Sequence, residues 1–524
     1  MGDVLDRKSS FGENRYIDTR AAIDEAVPFT QAVIDGLAPS GGLYVPQSIP
    51  RFPLERILEL ADLPYSERAA DIYSAFNIDI PDTDIHELMH KSYGDNFDTV
   101  DVCPIQKLDE DVHVLELWHG PTSAFKDMAL QCLPNFFAAS ADVLRERGQL
   151  DNNFCILVAT SGDTGKAALE GFKGVKGVNV GVLFPDGGVS DIQRKQMVTT
   201  TGDNVCVWAV RGNFDDCQTG VKKVFGDDAF ASQLKSDANV ALSSANSINW
   251  GRLLPQIVYY VSSYAELVAE GNVSAGDPID VCVPTGNFGN ILAAWYARQM
   301  GTPIENLFCA SNENRVLTDF INTGIYDISD REFVLTPSPS MDILVSSNLE
   351  RQLFELSGRN GQAISEWMTS LNAEKRFQAD PDTTKAMQAV FKGESVSNND
   401  CLNAIKSVFD KYDYLMDPHT AVSYTAGMRL RKDNPLLIIS TAHWAKFGDN
   451  VYRALHGIAP EQSLPQDIAS LTGCQLNELI AKETGKWGIP KRLANLDAMP
   501  IRFSEVIDGN QSAIEQAVAT FLEH

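Results

Sequence analysis

From about residue 104 onward the chain alternates short apolar runs with stretches of helical pattern. Residues 154–159 (Phe-Cys-Ile-Leu-Val-Ala) and 178–184 read as buried strands, and 205–210, 280–283, 307–310 and 436–440 repeat the signal. The spacing between these runs leaves room for crossover helices, which requires parallel strands. The pattern therefore predicts an α/β fold with doubly wound, mostly parallel sheets. The texture before it differs. Residues 28–35 and 54–61 carry helical patterns; the first opens on Pro28 and stops at Gly36, and the second comes directly after Pro53. Residues 1–103 read as a small N-terminal domain and 104–460 as the α/β region. Within it, about 345–415 reads as a helical insertion, because 349–356 and 404–411 look helical and strand signal is scarce. Residues 461–524 read as a mostly helical extension.

Composition narrows the function classes. The chain has 524 residues, and 43 Lys+Arg against 70 Asp+Glu give a formal net charge of −27. Such a balance argues against nucleic-acid and anionic-membrane partners, whose sequence-independent affinity needs cations. An anion site must then be built locally, against the overall field. Hydrophobic residues at 44% and charged residues at 22% are ordinary globular proportions, which excludes large-scale disorder. No apolar run approaches the ~18–20 residues of a membrane span. The start, Met1 to Arg7, shows no apolar leader core, and Asp6 stands where myristoylation needs Ser or Thr. The nine cysteines lie singly, without Cys-x-x-Cys. That pattern predicts reduced thiols in a cytoplasmic protein rather than a disulfide frame or zinc site. Cys155 and Cys282 fall in buried runs and read as inert core thiols. His86 and His90 lie four apart on a helical stretch, but no third ligand is evident, so a solvated or interface face is expected and no metal.

Ligands of open α/β sheets sit beyond the carboxyl ends of strands, so the residues just after each run carry the most information. After 154–159 comes Thr160-Ser161-Gly162-Asp163-Thr164-Gly165 and then a helical stretch. Hydroxyls and N–H groups there can hold a carboxylate or phosphate. The same residues fit a plain helix start capped by Asp163 or Thr164. After 281–283 comes Pro284-Thr285-Gly286-Asn287-Phe288-Gly289-Asn290, again before a helix. Two glycines allow close backbone approach, and the compact loop suits a single phosphate; a tight turn fits equally. It is neither a dinucleotide fingerprint nor a Walker loop. After 436–440 comes Thr441-Ala442-His443-Trp444-Ala445-Lys446-Phe447, where the Thr441 hydroxyl can enter a site or satisfy local backbone. Upstream, Lys126 comes after the turn Gly120-Pro121-Thr122-Ser123 and opens an apolar helical stretch. A half-buried lysine with a lowered pKa suits Schiff-base chemistry, whereas a surface lysine at a helix start would serve none.

The Lys126 segment, Gly120-Pro121-Thr122-Ser123-Ala124-Phe125-Lys126-Asp127, resembles the pyridoxal-phosphate lysine motif of the threonine synthase family, within the tryptophan-synthase-β-like, fold type II enzymes. Blocks at 36–46, 159–165, 244–256, 284–290, 337–351 and 440–447 resemble the family's in the same order. Length and insertion are similar to its longer bacterial and fungal branch. The resemblance implies pyridoxal 5′-phosphate as cofactor. It implies conversion of O-phospho-L-homoserine and water to L-threonine and phosphate, by a monomer or small homo-oligomer. Lys126 would bond the cofactor; Gly286, Asn287, Phe288, Gly289 and Asn290 would cradle its phosphate. Thr441 would face its pyridine nitrogen, where a neutral hydroxyl favours elimination and replacement over transamination. Asp163 would stand near the 3′-oxygen, where the wider fold often carries Asn. Thr160, Ser161 and Thr164 would receive the substrate carboxylate, and Asn246, Ser247 and Arg252 its phosphate, with an ordinary salt bridge as the alternative for Arg252. Trp118 and Trp444 would pack rather than react, and Asp417-Pro418-His419-Thr420 would form a turn and helix start. Two other functions share the motif: a related phospholyase or threonine dehydratase, and a non-catalytic pyridoxal-phosphate-binding interaction protein.

Overall fold

The computed structural model describes residues 13–21 and 26–523, so the Met1 to Arg7 segment lies outside the described residues. Two sheets form the frame. Their strands are, in chain order, β1 (Ile105–Asp109), β2 (Val112–Glu116), β3 (Asn153–Ala159), β4 (Val178–Pro185), β5 (Val205–Arg211) and β6 (Val240–Ser243). Then come β7 (Ile279–Pro284), β8 (Ile304–Ser311), β9 (Phe391–Ser395), β10 (Leu436–Ser440) and β11 (Val506–Asp508). A six-stranded sheet runs β9-β8-β7-β10-β2-β1, and a five-stranded sheet runs β11-β5-β4-β3-β6. Only the β1–β2 pairing is antiparallel within them. The doubly wound α/β expectation holds, divided over two sheets.

All six apolar runs are strands, and β7, β10 and β2 are buried along their whole length because helices cover both faces. The pattern missed five strands: β1, β6, β9 and β11, which are edges, and β2, a buried interior strand whose His113 and Glu116 interrupt its apolar run. β9 corrects the reading of 345–415 as a purely helical insertion. Helices Leu349–Leu356 and Asn398–Tyr412 are there, but Phe391-Lys392-Gly393-Glu394-Ser395 pairs in parallel with β8. Its charges and glycine suit an edge strand and hide it from an apolar-run search. In the last segment, similarly, β11 extends the five-stranded sheet beside β5.

The first hundred residues share an apolar cluster with the α/β region: Tyr16 and Phe76 pack on Trp250, and Phe29 on Phe136. His86 Nδ1 and His90 Nε2 both meet Glu67, at 2.9 and 2.7 Å. The cysteines are free thiols, and no described helix is long and apolar enough to cross a membrane.

Candidate active site

Three neighbouring strands, β7, β10 and β2, end on the same edge of the larger sheet, and their loops carry the candidate residues. The loop after β2 is zipped to the loop after β10. Leu117 N–H donates to the Ser440 carbonyl (3.0 Å) and Phe125 N–H to the Thr441 carbonyl (2.8 Å). Asp127 folds back on the turn, accepting from the N–H and the hydroxyl of Thr122, both at 2.8 Å. A Cβ on Gly120 would fall 2.4 Å from Asp127 Cβ, so only glycine fits. Burial pushes Asp127 up to about 6, against the Thr122 hydrogen bonds.

Lys126 is the first residue of α1 (Lys126–Leu130) and is half-buried. Burial lowers its pKa to about 8, with the positive charges of Arg252 and Lys446 adding to the effect and Asp163 opposing it. A fraction of neutral, nucleophilic amine therefore exists near neutral pH.

The loop after β3 leads into α2 (Asp163–Phe172). Its cap corrects the expectation. The Thr160 hydroxyl accepts from Gly162 N–H (3.0 Å) and Gly165 N–H (2.9 Å), so neither Asp163 nor Thr164 caps the helix. Thr160 is thereby turned into its own loop, while Ser161 and Thr164 are half-buried. Asp163 is free for another job. Its Oδ1 accepts from Lys446 Nζ and Gln193 Nε2, both at 2.9 Å, and Oδ2 from the Ser340 hydroxyl at 3.3 Å. Burial alone would raise Asp163, but the charge and hydrogen bond of Lys446 carry it down to about 2.

The loop after β7 enters α4 (Gly289–Met300) through Phe288 at φ +64°. Among the described residues, no hydrogen bond uses the N–H of residues 286–290 as donor. Asn290 turns its carboxamide oxygen to the hydroxyls of Tyr259 and Tyr260, each at 2.6 Å, and its Nδ2 is buried without a partner. The Thr441 side chain is 6% exposed and likewise makes no hydrogen bond among the described residues.

Arg252 lies on α3 (Trp250–Ala269), 3% exposed. Nη1 donates to the Ala245 carbonyl (2.9 Å), Nε has no partner, and no carboxylate among the described residues faces the group. The ordinary salt bridge is thus ruled out, and burial lowers Arg252 to about 10. Ser247 meets the Ser347 hydroxyl at 3.0 Å, which also reaches Asn287 Oδ1 at 3.3 Å. Asn246 is half-buried nearby in sequence, its side chain unbonded among the described residues.

Family models match along the chain: threonine synthase N terminus over residues 15–93, pyridoxal-phosphate dependent enzyme over 102–437, and threonine synthase C-terminal over 420–518. The threonine synthase of Pseudomonas aeruginosa is 40% identical over 462 residues, 87% of this chain and 93% of that one. The chain belongs to the threonine synthase family. A crystal structure of yeast threonine synthase superposes with a TM-score of 0.84 at 34% identity, covering 98% of this chain and 99% of that one. Threonine synthase-like 1 of Macaca fascicularis is 43% identical over 436 residues, but those span 82% of this chain and only 58% of the relative.

Threonine synthases belong to a pyridoxal-phosphate dependent class, and the residues present fit that group. Lys126 has a depressed pKa, and the 286–290 amides have no acceptor among the described residues. Gly286 and Gly289 face Met341 and Asn348 at only 3.2 and 3.3 Å from where a Cβ would stand. Sequence reasoning missed Lys446, Gln193, Ser340 and Ser347 as parts of this site. All but Gln193 lie inside the resembling blocks, yet each earns its place only through a partner distant in sequence.

Beside the site, His119 stacks on Trp118 (4.1 Å), whose Nε1 donates to the Ser440 hydroxyl at 2.9 Å. His119 Nδ1 meets Asp98 (2.6 Å) and Nε2 meets Glu116 (2.9 Å). Burial would lower His119, but these carboxylates raise it to about 9. A folded pKa above the ordinary value means stability that is full below about pH 6.5 and lost as pH rises through about 9. Thermal melts across that range are expected to show this loss in wild type and not in His119→Gln.

Proposed function

We propose that the chain converts O-phospho-L-homoserine and water to L-threonine and phosphate. The carrying observation is Arg252: a buried guanidinium without counter-charge, its Nε unpartnered, close enough to Lys126 to lower that amine's pKa. Such an arrangement suits an anion that arrives with the substrate, since a permanent partner would have been built in.

Roles come from the chemistry of each group. Pyridoxal phosphate, when bound, supplies an electron sink for charge developing on the substrate's carbons. Lys126 would hold it, the amides of Gly286 to Asn290 would take its phosphate, and Thr441 would offer a neutral hydroxyl to its ring nitrogen. Asp163, kept ionised by Lys446, would face its 3′-oxygen. Lys126 Nζ is the base best suited to take the α-proton and then the β-proton, and to return protons afterwards. Arg252, with Asn246 and Ser247, would meet the charge that grows on the departing phosphate. Ser161 and Thr164 would take the substrate carboxylate, with Thr160 holding their loop in shape. The 1–103, 104–460 and 461–524 division, a cytoplasmic location and a monomeric or small homo-oligomeric state belong to the same proposal.

Incubation with O-phospho-L-homoserine, with threonine and phosphate assayed together, tests it; equal release of both is expected. Phosphate with 2-oxobutyrate and ammonia would identify a related lyase instead. No product from a protein that carries the cofactor would favour a binding role.

The cradle has its own test. In Gly289→Val the Cβ would stand 3.3 Å from Asn348 Nδ2 and 4.0 Å from Gln256 Nε2, side-chain contacts that a shift of a few tenths of an ångström relieves, so folding should survive. The branched methyls would crowd the amides. Fluorescence titration is expected to show cofactor affinity weakened by at least ~10-fold, equivalent to about 1.4 kcal/mol, with the apoprotein melt little changed.

A further inference from the structure

Lys446 is a fully buried cation to which the proposed reaction gives no direct task. Its Nζ donates to Asp163 Oδ1 and to the Thr122 carbonyl, each at 2.9 Å. It thus joins three loops: its own after β10, the Lys126 turn after β2, and the Asp163 loop after β3 of the other sheet. The surroundings support this tie. Gln196 Nε2 donates to the same Thr122 carbonyl (3.2 Å), and the Ser190 hydroxyl donates to the Lys446 carbonyl (3.1 Å). Asn477 Nδ2 donates to the Ala445 carbonyl at 2.7 Å.

A buried ion pair is a weak stabiliser, because desolvating two ions offsets most of their attraction. Its two charges act on a third in opposite senses, so removing one member leaves the other unopposed in the same low-dielectric space. The charged groups bearing on Lys126 are Arg252 from α3, Asp163 from α2 and Lys446 itself. Those bearing on Asp163 are Lys446 and His419, with Gln193 and Ser340 as hydrogen-bond donors. Lys446 also bears on Asp127 and His443.

We propose that Lys446 is a positioning residue for Lys126: its ammonium pairs with Asp163 in place and ties the Thr122 turn to the Asp163 loop, so that the Lys126 nitrogen works beside a neutralised carboxylate rather than a bare anion. This rests on the reading of Lys126 as the cofactor lysine. In electrostatic terms, Asp163 favours the protonated nitrogen and Lys446 opposes it. Asp163 has the larger influence of the two. Removing each group therefore moves the nitrogen's titration in a fixed direction.

The test is a pH titration of the absorbance of the full-length, pyridoxal-phosphate-loaded protein, alongside thermal melts. Lys446→Met is expected to raise the midpoint by about one pH unit, as for removal of a nearby like charge. Asp163→Asn should lower it, and Lys446→Met/Asp163→Asn should fall between Asp163→Asn and wild type. Lys446→Met should also melt several degrees lower, because an unpaired carboxylate is left buried, and the double variant should recover most of that loss. A Lys446→Met midpoint equal to wild type, with only the melt lowered, would make Lys446 a structural tie and overturn the proposal. Should Lys446→Met fail to fold, a double variant titrating with Asp163→Asn would overturn it equally, and one titrating above it would support it. If the wild-type chain carries no cofactor on Lys126, the functional reading fails instead. The same order of midpoints is then read from the pH dependence of Lys126 acylation, followed by mass spectrometry.

Discussion

Lys126→Ala is expected to abolish turnover, by more than about 10³-fold, since in the proposed function it removes both the cofactor bond and the main proton-transfer group. The physical ground is the environment of that amine. Among ordinary lysines the ammonium is strongly favoured, but here burial, Arg252 and Lys446 bring it to about 8. Borohydride reduction of the wild-type protein should fix pyridoxal phosphate covalently on Lys126, and in the variant on no residue. The surrounding turn should remain folded, because Asp127, Thr122 and Gly120 hold it without using the lysine side chain. Labelling that persists on another lysine would sink the assignment, and Lys446 is the one to watch, being buried in the same neighbourhood.

Arg252→Ala carries the second large expectation. It should cut kcat/KM for O-phospho-L-homoserine by more than ~100-fold, as for a charge-assisted contact worth ~3 kcal/mol or more. The cofactor should stay bound, because its phosphate is assigned to backbone amides at 286–290. Arg252→Lys should recover only part of the loss, since an ammonium lacks the planar fork of donors. Stability separates this role from a structural one. A guanidinium that is buried, without a carboxylate and with Nε unpartnered costs desolvation that the single hydrogen bond to the Ala245 carbonyl returns only in part. The substrate-free Arg252→Met protein is therefore expected to melt no lower than wild type while losing activity. Steady-state kinetics, an absorbance spectrum and a thermal melt together decide it. A variant that loses cofactor yet keeps its substrate affinity would mean that the two phosphate sites have been exchanged. Their nearness makes that a real alternative, because Ser347 joins Ser247 to Asn287.

Much of the fold was legible in the sequence, and for a local reason. Strands buried on both faces are mostly apolar, so β3, β4, β5, β7, β8 and β10 announce themselves as runs, whereas the buried β2 is masked by His113 and Glu116. A Gly-Pro turn before a lysine, and two glycines before a helix, are likewise decided within a few residues. The order of resembling blocks then pointed to the family and to most of the candidate residues. Edge strands such as β9 escaped, because one solvated side lets Lys392 and Glu394 stand where a central strand could not hold them.

The α/β class, the candidate lysine and the three strand-end loops could be read from the chain alone, because each depends on periodicity or on the conformational limits of single residues. The destination of the charges could not. Asp163 and Thr164 stood as equal candidates for the helix cap, and Arg252 as either paired or free. Those choices depend on groups far away in sequence. Lys446 takes Asp163, leaving the Thr160 hydroxyl to hold the loop, while no described carboxylate reaches Arg252 and its guanidinium settles on the Ala245 carbonyl. Hydrogen bonds and close ion pairs form only within a few ångströms, and a linear chain carries no record of which distant groups will close that distance. Packing the strand-end loops of two sheets together is what brings Lys446, Asp163 and Thr122 within hydrogen-bonding reach, and so sets two opposite charges beside Lys126.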